Sequence, residues 1–333
     1  MNKMDRLHNA YKPMLNTILV TGANGFVGKS LCLALFEQGH ALRAAVRGAN
    51  RQVENCETVA VGELNGQTDW TNALPGIKVV IHLAARVHVM NDTSTDALAE
   101  FRRVNVEGTL HLARQAVEAG VQRFIFISSI KVNGEGTLLG HPYTSDDLLA
   151  PVDPYGISKR EAEDALRQLA LDTGLEVVII RPPLIYGSGV KANFLSMIRL
   201  LDKGIPLPLG AIDNQRSLVA LDNLIDLIIT CIHHPAAANQ TFLVSDGEDL
   251  STPQLLQRSA AALGKKAWLL PVPVFLLAWG ATLIGKQAMA QRLCGSLQID
   301  ISKTCTLLDW KPPVKVDEAL SKAAHFYRSA THD

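Results

Sequence analysis

Thr17-Ile-Leu-Val-Thr-Gly-Ala-Asn-Gly-Phe-Val-Gly-Lys-Ser30 carries a short apolar run with strand character straight into glycines at 22, 25 and 28. A glycine at the end of a strand allows a turn through backbone angles that side chains resist, and a second lets N–H groups approach a pyrophosphate with no Cβ in the way. The third is expected to bring the following helix close against its strand. That helix, with Val27, Leu31 and Leu35 on one face and Gly39 as its C-terminal stop, would aim the positive end of its dipole at the phosphates. The spacing is GxxGxxG, one residue longer at the first gap than the GxGxxG fingerprint, so the strand–turn–helix context carries the reading. Gly22, Gly25, Phe26, Val27 and Gly28 are the candidate cofactor residues of this turn.

Outward from it, apolar segments at 17–20, 42–46, 59–61, 79–83, 123–128 and 176–181 alternate with helical patterns near 27–38, 98–119 and 155–173. Short apolar runs without polar alternation suit parallel strands covered on both faces, so the fold class is α/β, a Rossmann-like doubly wound parallel sheet. Ligands then belong at the carboxyl ends of the strands. After Pro182 prolines and glycines become frequent, which marks a smaller, interleaved C-terminal substrate-binding lobe. The expected organisation is a loose extension at 1–14, a dinucleotide-binding domain at 15–182 and a mainly substrate-binding lobe at 183–330. Met14 is an alternative start.

The 333 residues carry 32 Lys plus Arg against 32 Asp plus Glu, without the excess positive charge of a nucleic-acid binder. Cys32, Cys56, Cys231, Cys294 and Cys305 are odd in number and scattered, which indicates neither a disulfide framework nor a zinc site and suits reduced thiols in a cytoplasm. Cys32, on an apolar helix face, reads as inert core. His233 and His234 have no partners at ligand spacing, so no metal is expected. The N-terminus lacks the apolar stretch of a signal peptide. The most apolar window, 267–285, carries Pro271 and Pro273 near its start, which favours a buried or interface helix after Pro273 over a membrane span and leaves peripheral contact through 273–285 open.

The end of the second strand, Leu42-Arg-Ala-Ala-Val-Arg47, decides the cofactor, because the residue about 20 positions beyond the glycines meets the adenosine ribose. An NAD site wants a carboxylate there, and none lies between Glu37 and Glu54. Arg47 instead offers a guanidinium to a 2′-phosphate, so NADP(H) is favoured and NAD(H) is the alternative. Arg47 and Arg43 can equally be solvated charges at a strand end. Glu63 and Leu64, after the third strand, are candidates for the adenine edge.

The chemistry is expected in Ser128-Ser129 and in Tyr155-Gly-Ile-Ser-Lys159 at the start of a helix. The i, i+4 spacing puts phenol and ammonium on one helix face, where the cation would lower the phenol's pKa towards working pH and make it a usable proton donor or acceptor. The Ser129 hydroxyl would hold the substrate's carbonyl or alcohol oxygen.

With these pieces in place the chain resembles the extended short-chain dehydrogenases/reductases of the NAD-dependent epimerase/dehydratase family, from about Thr17 to Tyr327. The resemblance rests on Thr21-Gly-Ala-Asn-Gly-Phe-Val-Gly28, His82-Leu-Ala-Ala85, Asn105-Val-Glu-Gly-Thr109, Ser128-Ser129, and Tyr155 with Lys159. Arg181-Pro182, Arg216 before Leu-Val-Ala-Leu-Asp, and Leu308-Asp-Trp310 complete it. It implies Ser129, Tyr155 and Lys159 as catalytic triad; Leu83, Ala84, Ala85 and Pro182 beside the cofactor; and Asn105 supporting the active-site helix. It also implies Asn193 and Arg216 on the nucleotide and pyrophosphate of a sugar nucleotide. Arg86 and His88 are further candidates for the sugar, though loop residues after a strand are as often structural.

Departures from the family pattern narrow the reaction. Dehydratases of the family carry an Asp-Glu pair where this chain has Ile130 and Lys131, so water elimination is not expected. Leu184 and Asn133 replace a usual asparagine and tyrosine, which unsettles the substrate contacts. The run from Ser129 to Glu135, with Arg86-Val-His-Val-Met after the fourth strand, resembles the branch that makes N-acetylated deoxyhexoses for bacterial surface polysaccharides, lipopolysaccharide O-antigen among them. The expected activity is reduction of a UDP-4-keto-6-deoxy-N-acetylhexosamine, the alternative a UDP-sugar 4-epimerase with tightly bound NAD, and the third a catalytically silent dinucleotide sensor. Helices 98–119 and 155–173 carry more apolar residues than one inward face needs, and a homodimer is expected across them, as the family resemblance implies.

Overall fold

β1 (Thr17–Thr21) is an inner strand, third from one edge, of a seven-stranded sheet in which every strand runs parallel to its neighbours. In spatial order the strands are β3 (Glu57–Ala60), β2 (Ala41–Val46), β1, β4 (Val79–His82), β5 (Arg123–Ile127), β6 (Glu176–Arg181) and β9 (Thr241–Leu243). The computed structural model describes residues 17–48, 50–87, 96–190, 192–283, 285 and 287–332, without the side chains of 192, 193, 288, 289, 331 and 332; the 1–14 extension lies outside the described residues.

The strands alternate their side chains between two cores. Ile18, Val20, Ile81 and Ile125 face α1 (Phe26–Glu37) and α6 (Leu221–His233). Leu19, Val80, Phe124 and Phe126 face α3 (Thr109–Glu118) and α4 (Pro154–Thr173). Both faces are covered, which is why β4 and β5 are buried end to end and show no polar alternation in sequence. Strand order reverses between β1 and β4, and that switch point opens a crevice at the carboxyl edge.

The helical pattern at 98–119 is not one helix. α2 (Ala97–Arg102), capped by Asp96, passes through a π-helical segment, Arg103–Gly108, before α3 begins. Gly108 lies in this wide turn because a Cβ there would stand 2.8 Å from Leu64 Cγ. Such bulges accompany functional positions, and this one turns Asn105 inward.

A smaller sheet, β10 (Asp249–Leu250), β8 (Arg216–Ala220) and β7 (Leu184–Tyr186), shares a third core with α5 (Ala192–Asp202), α7 (Thr252–Ala262) and α11 (Val316–His332), built on Tyr186, Phe194, Leu218, Leu256 and Leu320. α8 (Val274–Leu283), α9 (Gln287–Cys294) and α10 (Ser302–Leu308) complete the chain. α8 begins after Pro273 as expected, but none of its residues is buried, so the expectation of a helix buried within the chain does not hold. Among the described residues no helix is long and apolar enough to cross a membrane.

Gly28 and Gly280 make a matched test of this packing. A Cβ at Gly28 would stand 2.2 Å from Gly22 O and 2.7 Å from Ala23 Cα, so backbone must move. Gly28→Ala is expected to cost about 1–3 kcal/mol or more. Gly280→Ala, in the middle of α8 with nothing within 4 Å, should stabilise by about 0.5–1 kcal/mol. Urea unfolding of both variants checks the pair; equal midpoints would contradict the packing.

Candidate active site

The β1–α1 turn is shaped for a phosphate. Gly22 holds φ +68°, and a Cβ on it would lie 2.9 Å from Ala84 N. Gly25 is the N-cap of α1 and has no capping side chain, so the first N–H groups of that helix are left for an anion. Gly28 presses on the turn itself, on Gly22 and Ala23, rather than on the strand. Phe26 and Val27 open α1 and pack on the first core. A cradle that any side chain would fill fits a dinucleotide pyrophosphate.

Across the switch point β1 and β4 are tied by polar contacts. Thr21 Oγ1 accepts from Ala84 N at 3.1 Å and lies 2.7 Å from His82 Nδ1, while His82 Nε2 lies 3.0 Å from Thr109 Oγ1. Burial, aided by the charge of Lys159, pushes His82 down to about 3, so its imidazole is neutral. Leu83 N donates to Thr21 O at 3.3 Å, and Leu83 and Ala84 thereby run beside Gly22, with Ala85 next in the chain.

Arg47 stands at the end of β2, exposed, with no hydrogen bond or ion pair among the described residues. Arg43 is different: it binds Glu57 Oε2 at 2.9 Å and the carbonyls of Ala73 and Pro75 at 3.0 and 2.8 Å, so it is a structural clamp and not a solvated charge. Glu63 is exposed, 3.9 Å from Arg103, whereas Leu64 packs under Gly108.

α4 begins with Asp153 as N-cap, its Oδ1 accepting from Gly156 N at 2.7 Å, and Pro154 in the first turn. This start brings Tyr155 near Ser129, whose hydroxyl favours the ionised phenol. Lys159, one turn on, is buried; its Nζ donates to Ile127 O at 2.8 Å and lies 4.2 Å from the centre of the Phe126 ring. The expected pKa relation is overturned. Burial and the neighbouring Asp153 charge push Tyr155 up to about 12, against the pull of the Ser129 hydroxyl. Burial pulls Lys159 down to about 7, despite the nearby Glu163 carboxylate. Desolvation disfavours both charged forms and outweighs any help the amine gives the phenol.

Asn105 joins two walls of the site. Its Oδ1 accepts from Arg86 N at 2.8 Å, and its Nδ2 donates to Arg86 O at 3.1 Å and to Ser158 Oγ at 3.0 Å. Arg86 lies over the Phe101 ring at 5.6 Å, and Phe101 meets Tyr155 edge to face at 6.0 Å, so Arg86 packs through an aromatic towards the phenol. Pro182 O accepts from Ile130 N at 3.0 Å, fixing the turn that carries Ser129. Arg216 opens β8, donating to Arg292 O and Gly295 O at 3.0 and 2.9 Å; burial, with Arg292 beside it, lowers its pKa. The side chain of Asn193, and all of His88, lie outside the described residues.

Three further polar groups frame the site, and of these only Glu163 had no part in the sequence reading. Glu163 accepts from Ser128 at 2.6 Å and from Arg181 at 2.9 and 2.5 Å. Burial alone would raise Glu163, but Arg181, Ser128 and Arg167 bring it below the usual carboxylate range. Lys131 binds Asp153 and, at 3.0 Å, Glu135, so it braces the start of α4 where dehydratases place an acid. Asn133 is buried and bonds Arg181 at 3.0 Å and Thr144 O at 2.9 Å, a core role and not a substrate contact. Glu163, four residues beyond Lys159, was findable as a charge on the buried face of α4. His233 stacks on His40 at 5.4 Å.

A Rossmann-like fold with serine, tyrosine and lysine gathered at the carboxyl edge defines a class of dinucleotide-dependent sugar and alcohol enzymes. Residues 18–245 match the NAD dependent epimerase/dehydratase family, and the chain belongs to it. It is 49% identical over 323 residues, 96% of this chain and 98% of the other, to UDP-glucose 4-epimerase of Vibrio cholerae. Its fold is that of the UDP-glucose 4-epimerase crystallised with UDP-glucose from Thermotoga maritima (TM-score 0.75, 22% identity, 95% of this chain and 99% of that one). The same holds for the UDP-glucuronic acid 4-epimerase from Bacillus cereus in complex with NAD (TM-score 0.75, 21% identity, 94% and 96%).

His82 should leave a signature in stability. The unfolded imidazole takes up its proton near 6.5 and the folded one near 3, so the unfolded state binds more protons in that window and stability falls as pH drops through it. At about 1.36 kcal/mol per pKa unit the loss reaches about 2 kcal/mol by pH 5. His82→Gln should flatten that slope relative to the parent protein in urea unfolding between pH 7 and about 5; parallel slopes would contradict the assignment.

Proposed function

We propose that the protein is a nucleotide-sugar 4-epimerase acting on a UDP-hexose, with NAD(H) held at the β1/β4 switch point. The observation that carries this is the 49% identity, end to end, to a UDP-glucose 4-epimerase, with Ser129, Tyr155 and Lys159 all in place. It moves the reading from the expected 4-ketoreductase to its alternative. The Gly22–Gly28 cradle, Leu83 to Ala85 and Pro182 would hold the dinucleotide; Arg216 would meet the diphosphate of the sugar nucleotide, and Asn193 its nucleotide. A nicotinamide bound there supplies a reversible two-electron acceptor. Tyr155 takes the proton of the sugar's 4-hydroxyl and returns it, while the Ser129 hydroxyl holds that oxygen. A phenol pushed up to about 12 is a weak acid that stays protonated at neutral pH, so taking the sugar's proton requires that it first be ionised beside a cation. Lys159 is the cation on that helix face.

Tyr155→Phe is expected to lower kcat by roughly a hundredfold or more while the protein keeps its dinucleotide, since proton transfer by a positioned side chain is worth that much. The assay is interconversion of UDP-glucose and UDP-galactose with no added reductant. A second reading has its own support: Arg47, at the end of β2 with no ion pair among the described residues, suits a 2′-phosphate, and with it an NADP(H)-dependent 4-ketoreductase. The nucleotide released on denaturation separates the two. NAD(H) with unaided epimerisation supports the epimerase; NADP(H), or no turnover without reductant, supports the reductase.

The same reading includes a homodimer across α3 and α4, for which Leu171, 81% exposed on α4, offers an apolar contact. Light scattering should return twice the chain mass; a monomer at micromolar concentration would count against it.

A further inference from the structure

α8 is apolar on every side. Leu277, Gly280 and Ala281 are half-covered, the helix packing chiefly on α9, while Phe275, Trp279 and Leu283 form a second stripe at i, i+4 and i+8 that stands in solvent. Phe275, Trp279 and Leu283 are 70%, 65% and 67% exposed. Trp268, on the segment leading into the helix, is equally open. A helix packed on its own domain normally keeps a polar outer face, and α8 has none.

Charge says what covers it. In a chain whose charges balance overall, the stretch from Ser251 to Gln298 carries Arg258, Lys265, Lys266, Lys286 and Arg292 and no aspartate or glutamate. Arg258 and Lys265 are paired with carboxylates from other segments, but Lys266 is exposed, with no ion pair among the described residues. A second copy of the same face would bring cations against cations across a two-fold axis, which argues against self-association here. An apolar stripe with two tryptophans and a cationic margin matches the boundary of an anionic bilayer, where the rings sit at headgroup level and the lysines meet lipid phosphates. Ten residues of helix span about 15 Å, half a hydrocarbon core, so α8 would lie in the interface and not cross it.

We infer that α8, with Trp268 and Lys266, is a membrane-interface anchor that docks the protein on anionic lipid. The anchor is independent of which sugar the enzyme takes.

The test uses the full chain with vesicles of phosphatidylcholine, alone or mixed with phosphatidylglycerol. Trp70 and Trp310 are buried, so a change in tryptophan emission on lipid addition reports Trp268 and Trp279. The expected result is a blue shift and co-sedimentation with the anionic vesicles, weakened by salt and reduced at least tenfold with phosphatidylcholine alone. Phe275→Ser with Trp279→Ser changes only exposed positions; it should keep the melting temperature and lose at least tenfold in vesicle affinity. A second variant, Lys266→Glu, should weaken binding to anionic vesicles with the stripe intact. Failure of the parent protein to bind anionic vesicles at low salt overturns the proposal. So does binding that the double variant retains, or a shift from dimer to monomer in that variant with no vesicle binding by the parent.

Discussion

The carboxylate of Glu163 is where the structure's polar and apolar demands meet. It is fully enclosed between α4 and the carboxyl ends of β5 and β6, and it is stable as a charge only because Arg181 grips it with two hydrogen bonds while Ser128 and Arg167 take the remaining lone pairs. Removing either partner would leave a buried, uncompensated charge, at a cost of about 3–5 kcal/mol. The pair sets the depth and rotation of α4 and fixes Ser128 beside Ser129. Placed one turn from Lys159, it is also the anion that keeps some of the ammonium's charge in a site that otherwise suppresses it. Asn133 completes the anchor through Arg181, so one cluster joins the β5 turn, α4 and β6.

Much of this was legible in the residues. The strands β1, β2, β4, β5 and β6 were readable because each is a short, largely apolar run covered on both faces, and α4 because Asp153, Pro154 and Gly174 mark its ends. The glycine turn was readable because its requirements are local. What escaped depends on contacts distant in sequence. β7 to β10 are two to five residues long and take their partners from far along the chain. The π-helical segment keeps helical periodicity on both sides, so Arg103–Gly108 looks continuous until Leu64 is seen beneath Gly108. Asn133 looked like a lost substrate contact and is instead enclosed, because its role is set by Arg181, 48 residues later.

The phenol and the amine of the site show why motif spacing does not fix protonation. Tyr155 and Lys159 share a helix face as their spacing requires, yet each is held towards its neutral form, because enclosure costs both charges and Asp153 stands on the wrong side for a phenolate. Lys131 answers part of that by pairing with Asp153. The active-site helix is therefore charge-balanced at its start by a residue from the β5 turn and in its middle by β6.

β9 has a consequence for how the chain comes into being. The outermost strand on the β6 side of the main sheet is supplied by Thr241–Leu243, about 60 residues after β6, and Arg123 at the start of β5 reaches the carbonyls of Cys231, Ile232 and His234 at the C-terminal end of α6. During synthesis β6 must wait with an unpaired edge, and Arg123 of β5, held by Glu176 of β6, without its three carbonyl acceptors, while the whole of β7, α5, β8 and α6 is made. The sheet that begins with the first described residue closes only after three-quarters of the protein exists. An open parallel edge held that long invites pairing with another chain, so the window between the completion of β6 and the arrival of β9 is where a nascent molecule is most exposed to aggregation.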